Sequence, residues 1–203
     1  MTEINTRLVL PVGTFSFPHL FEASAVEEGG TKRYSCQVLY SLNDDLSGLQ
    51  NIIKSLVDKH FPDGIPAGST LPLMKGSAYK PGDEFYADKM IVSMAMPETQ
   101  GRPALVYNDA NRTEIIDRTQ LYAGCRVIPH VSVYYFTKGK KGIACGLNGI
   151  LKTGDGDRLD NRPTVNDMFG GVEATGQAVA PTEAEGGADT GDAAPAANKM
   201  PWE

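Results

Sequence analysis

Residues 131–152, VSVYYFTKGKKGIACGLNGILK, decide how this chain is read. Val131-Ser132-Val133-Tyr134-Tyr135-Phe136-Thr137 is β-branched and aromatic, the composition of a pleated, half-buried strand. Lys138-Gly139-Lys140-Lys141-Gly142 reads as a turn whose two glycines can take positive φ at little cost. Ile143 to Leu151 returns as a second strand, and Gly146 and Gly149 mark expected bulges or close backbone approach. The two-residue period of a strand puts Ser132, Tyr134, Phe136 and Lys138 on one face and Val131, Val133, Tyr135 and Thr137 on the other. The valine face reads as core. The opposite face carries two aromatics leading into three lysines, which is chemistry that can stack bases and follow phosphates. The plain alternative is an aromatic pair packed on a neighbouring element and lysines that are simply solvated.

Outward from this hairpin the chain keeps a β character. Thr6 to Val12 alternates as a first strand, and Phe15-Ser16-Phe17-Pro18 is expected to end or turn it. Lys32 to Tyr40 is an amphipathic strand with Tyr34, Cys36, Val38 and Tyr40 on one face. Leu49, Ile52, Ile53, Leu56 and Val57 form the apolar stripe of one helix over about 46–60. Ser47 and Gln50 suit a capping box, with Asp44 or Asp45 as the other cap candidates. The segment 65–86, rich in proline and glycine, reads as a long loop; within it Lys75 to Lys80 is basic with one aromatic. Met90 to Met96 is a buried strand, and Leu121 to Phe136 a nearly continuous one. Many short strands, one amphipathic helix and no strand–helix alternation indicate a mainly β fold, a small antiparallel barrel or sandwich.

Composition narrows the function. Of the net charge of −6, most sits after Val172, where Glu173, Glu183, Glu185, Asp189, Asp192 and Glu203 face only Lys199. The body is therefore close to neutral, and its lysines can form a local positive groove. The last segment is too poor in large apolar residues to offset its ordering entropy, so residues 172–203 read as a disordered acidic tail. Its tip, Pro201-Trp202-Glu203, suits a short anchor for a partner's pocket or is merely a terminus. Cys36, Cys125 and Cys145 are odd in number and far apart, which indicates reduced thiols and a cytoplasmic setting. No run approaches the ~20 apolar residues of a membrane span. No phosphate loop, zinc pattern, cofactor motif or nucleophile–base set is present, and Asp155-Gly156-Asp157 reads as a turn in preference to a calcium loop. The expectation is a protein that is not an enzyme, with no catalytic residues, metal or cofactor.

The order of segments resembles a family of phage single-stranded DNA-binding proteins. The resemblance runs from about Thr6 to Gly171. It is carried by Leu20-Phe21-Glu22, the strand to Tyr40 and the helix, then Asp83-Glu84-Phe85-Tyr86, Arg102-Pro103, Leu121-Tyr122-Ala123-Gly124-Cys125, Val131 to Phe136 and Gly142-Ile143-Ala144-Cys145-Gly146-Leu147-Asn148, with Arg158 to Arg162 and Asp167-Met168-Phe169 closing it. The Tyr-x-Gly-Cys segment and the hairpin ending Gly-Leu-Asn are its most specific parts. Such proteins are OB-fold barrels that coat single strands with little sequence preference during phage replication and recombination in the host cytoplasm. Many recruit replication proteins through an acidic tail. This tail departs from that pattern in being sparsely acidic and ending Trp202-Glu203.

The resemblance implies a DNA-binding domain over residues 1–171 and a tail over 172–203. In the groove, Tyr134 and Phe136 would stack bases and Lys138, Lys140 and Lys141 would meet phosphates. Tyr122, Arg126, Arg102, Tyr86, Lys32 and Arg33 would complete it, although Tyr122 and Tyr86 serve equally as core and Arg126 could instead pair with a carboxylate. The tail, opposite in charge to the lysines, could compete for the groove. The other reading is a phage assembly module with a disordered arm and no nucleic-acid role. Monomer and dimer are both open.

Overall fold

The computed structural model describes residues 6–25, 29–137 and 141–159. Strand β1 spans Arg7–Val9, β2 Gly13–Ser24, β3 Arg33–Ser41, β4 Leu73–Lys75, β5 Lys89–Pro97, β6 Ala104–Tyr107, β7 Arg126–Phe136 and β8 Gly142–Gly154. Helix α1 spans Ser47–His60, and two single turns, α2 (Gly76–Tyr79) and α3 (Glu84–Ala87), follow β4. The barrel is a ring of five strands in which β2 pairs β3, β3 pairs β5, β5 pairs β8, β8 pairs β7, and β7 returns to β2. This closed ring is the five-stranded barrel of an OB-fold. Two pairings depart from the antiparallel expectation: β6 runs parallel to β8 outside the ring, and within it β5 and β8 run parallel, through Met94 opposite Cys145 and Ala95 opposite Gly146. A long segment separates these two strands, so no tight turn forces them antiparallel.

The β7–β8 hairpin forms as its alternation requires. Val131 and Val133 are fully buried, and Ile143, Cys145 and Leu147 face them from β8. His130 pairs Gly149 while Val131 pairs Leu147, so Asn148 is an extra residue on β8. That bulge reverses the parity of the strand. Beyond it Ile150 and Lys152 point inward, and Lys152 is only 6% exposed.

A similar irregularity lets β2 run through the segment expected to end it. The register with β3 shifts between Ser16 and His19, and Phe17 sits at φ 48. The strand therefore buries both Phe15 and Leu20, which a regular alternation would place on opposite faces.

Helix α1 lays its stripe across the barrel, burying Leu49 and Leu56 and half-burying Ile52, Ile53 and Val57. The capping box does not form; Asp45 instead accepts from the Ser47 N–H at 3.0 Å. At the far end the His60 ring stacks on Tyr135 at 4.2 Å and Phe61 meets Tyr135 edge-on at 5.4 Å. Tyr135 thus packs against the core.

Two other expectations change. The 65–86 loop contains β4, α2 and α3. Leu121–Cys125 is not strand, because the chain turns at Gly124, whose φ is 116. A Cβ there would lie 2.0 Å from the Asp157 carbonyl oxygen, so only glycine lets residues 155–159 cross this point. The hairpin tip 138–140, the tail and the domain boundary at 171 lie outside the described residues.

Candidate nucleic-acid interface

The site follows from what faces outward on the barrel. Cys36 on β3, Met94 on β5, Cys145 on β8 and Val133 on β7 are buried, so their chain neighbours point to the outer surface. Register then lines those neighbours up across four strands. Gln37 lies opposite Ser93, Ser35 opposite Ala95, Ala95 beside Gly146, Gly146 opposite Ser132, and Ala144 opposite Tyr134. Most of these residues are small. Ser35, Gln37, Ser93, Ala95 and Ala144 of this row line a depression in the sheet, a trough of about 420 Å³.

The walls of the trough come from neighbouring segments. Phe17 and His19 of β2, Arg33 of β3, Tyr79 of α2 and residues 70–72 line it. Thr70 bridges to Gly142, and its carbonyl accepts from the Ile143 N–H at 2.9 Å, so this wall is stitched to the base of the hairpin. Phe17 is 41% exposed and holds a left-handed backbone, a strained state for a bulky residue that is maintained only by its surroundings. In the floor the Gln37 side-chain N–H donates to Ser93 Oγ at 3.3 Å, leaving Gln37 Oε1 buried without a hydrogen-bond donor.

The residues singled out from the sequence separate into groups. Tyr134, 43% exposed, stands on the outer face beside Ala144. Phe136 is half-buried at the end of β7, and Lys141 is exposed at the base of the tip. Lys138 and Lys140 lie outside the described residues. Arg33 lines the trough, and Lys32 precedes it on the surface.

The remainder are placed elsewhere. Tyr86 is core: it is 7% exposed and packs with Leu39 and Ile91. Tyr122 is half-buried, its hydroxyl bonded at 3.1 Å to Asp155 Oδ1 and at 3.1 Å to the Gly156 carbonyl, with the Arg158 guanidinium 4.2 Å over its ring. Arg126 donates to Thr14 Oγ1 at 2.8 Å. It starts β7, eight residues from Tyr134, a distance of roughly 26 Å at strand rise. Arg102 lies 4.9 Å over the Phe21 ring and donates to the Ile115 carbonyl at 3.2 Å. These side chains have structural partners.

Behind Tyr122 the buried Lys152 ammonium donates to the Gln120 carbonyl and to Asp155 Oδ1, both at 2.7 Å. The hydrogen bond from Lys152 holds the Asp155 carboxyl below its ordinary range. Burial pushes the Cys145 thiol up to about 12 and the Cys36 thiol further, so both are inert at neutral pH. Among the described residues no three His, Cys, Asp or Glu side chains converge as a metal site, and no helix is long and apolar enough to cross a membrane.

Sequence reasoning missed the trough itself. Ser35, Gln37, Ser93, Ala95 and Ala144 carry no chemical signal until register sets them side by side, and Phe17 and Tyr79 were read as parts of a turn and a loop.

Comparison with known proteins agrees with this architecture. The single-stranded DNA-binding protein of bacteriophage Enc34 in complex with single-stranded DNA superimposes with a TM-score of 0.65 at 19% identity, covering 78% of this chain and 96% of that one. A second Enc34 structure gives 0.59 at 18%, covering 83% and 97%. Gp2.5, a single-stranded DNA-binding protein encoded by bacteriophage T7, gives 0.52 at 9%, covering 77% and 96%. No curated protein matches the chain. The family described as Enterobacter phage Enc34, ssDNA-binding protein, matches residues 6–179, and the chain belongs to that family.

Proposed function

We propose that this chain binds single-stranded DNA with little sequence preference, along the trough and the hairpin tip, during phage DNA replication and recombination. Tyr134 stacks a base, at ~1–3 kcal/mol per stack. Lys138, Lys140, Lys141 and Arg33 neutralise phosphates, and Phe136 stacks a second base. The observation that carries this reading is the row of small outward residues bounded by exposed aromatics and cations, which leaves room for a polymer on a face that offers both stacking and charge.

Such a protein holds its ligand and performs no chemistry, so no cofactor is required. Residues 1–171 serve as the binding domain. Residues 172–203 serve as an acidic tail that competes for the groove and presents Pro201, Trp202 and Glu203 to replication proteins in the host cytoplasm. Family membership disfavours the assembly-module alternative.

The test is titration of a labelled oligo(dT) at two salt concentrations. The expected result is binding that weakens steeply as salt rises. Absence of a salt-sensitive signal at micromolar protein overturns the proposal.

A further inference from the structure

The trough ends where the outer face of β3 and β5 becomes apolar. One step along the two strands from Gln37 and Ser93 lies the pair Leu39 and Ile91, which is buried under Tyr86 of α3. The same outer face therefore passes from an open floor to a covered shoulder within one pleat repeat. Tyr79, a wall of the trough, continues onto that shoulder: its ring lies 5.6 Å from Tyr86, and Tyr86 lies 5.0 Å from Phe85.

Phe85 differs from the two tyrosines. It keeps 43% of its surface in solvent. Its backbone N–H donates to Asp83 Oδ1 at 3.0 Å, its ring meets Tyr86 edge to face, and the Lys89 ammonium lies 5.1 Å from its centroid. An exposed, pre-positioned ring at the end of an aromatic chain that begins inside the groove is a stacking platform in waiting.

Given the trough as the path of DNA, we propose that the strand leaves it past Tyr79 and stacks a further base on Phe85. The charges around this ring balance closely: Lys80 and Lys89 stand among Asp83, Glu84 and Asp88. The shoulder therefore holds a base and not a phosphate, and its contribution is insensitive to salt.

The experiment compares two oligo(dT) probes on the full chain, one of ~4 nucleotides that occupies the trough alone and one of ~16 that also reaches the shoulder, the two ends of the range for such barrels. Phe85→Ala and Phe85→Leu are expected to weaken the long probe about tenfold and leave the short one unchanged, with the salt slope preserved. Phe85→Tyr retains wild-type affinity. Leucine restores apolar bulk without a stacking face, so wild-type binding of the long probe by Phe85→Leu assigns the ring a packing role only and overturns the proposal. Equal losses on both probes overturn it as well, because Phe85 then acts through the trough. If the wild-type chain binds neither probe, the DNA reading itself fails, and this proposal with it.

Discussion

The ring of Tyr134 lies against the backbone of Gly146: a Cβ built on that glycine would stand 3.2 Å from Tyr134 Cε1. Without a side chain the glycine lets the tyrosine ring lie close to the sheet, opposite Ala144, which lines the trough. Tyr134→Ala is expected to weaken oligo(dT) binding by ~1–3 kcal/mol, roughly tenfold or more, with little change in stability. Gly146→Val pushes against the ring and displaces it, so it should lower affinity comparably. Fluorescence anisotropy checks both, and wild-type affinity in Tyr134→Ala would remove the stacking role.

Tyr135, the next residue, should behave in the opposite way. It packs on His60 and Phe61. Tyr135→Ala is expected to lower unfolding free energy by roughly 2 kcal/mol, less than a fully buried ring would lose. DNA affinity of the folded fraction should stay level. Urea denaturation beside the binding titration separates the two residues, and a loss of affinity without loss of stability would exchange their roles.

Lys141 is exposed beside the trough wall. If it neutralises one phosphate, Lys141→Ala reduces the slope of log affinity against log salt by about 0.7, the value for one contact on a single strand. Parallel slopes for variant and wild type would assign this lysine to solvent.

Gly124→Ala is expected to damage the fold and not the interface. Its φ of 116 strains any L side chain, and the Asp157 carbonyl blocks the new methyl group. The loss should reach ~2–3 kcal/mol, since backbone strain and a steric clash combine. Thermal unfolding measures it; an unchanged midpoint would mean that the crossing at residues 155–159 yields easily.

Asp155 predicts a pH dependence. Its folded carboxyl binds a proton less readily than an ordinary aspartate, because it accepts from Lys152. Its contribution to stability is therefore present above about pH 4 and is lost as pH falls through and below that value. Asp155→Asn should lower stability at neutral pH and flatten this part of the acid transition, as followed by urea unfolding between neutral and acidic buffers. Equal acid sensitivity in both proteins would contradict the linkage.

Much of the fold is legible along the chain. The alternation of residues 131–137 assigns Val131, Val133 and Tyr135 to the core side and leaves Tyr134 outside, because a strand's two-residue period is a local property. The stripe of α1 and the burial of the three cysteines are local in the same sense. The resemblance to phage single-stranded DNA-binding proteins rests on segment order, and the family match supports it.

The tertiary structure alone decided where that chemistry lies. A single extra residue at Asn148 turns Lys152 from a surface cation into a buried one bound to Asp155, and no local pattern announces a bulge's effect on parity. Tyr86 enters the core because α3 folds down on the Leu39–Ile91 pair, a contact between residues about fifty positions apart. The trough exists only because β3, β5 and β8 align their small side chains in one register. Periodicity along one strand is written in the sequence, whereas a surface made of several strands is a product of pairing between them.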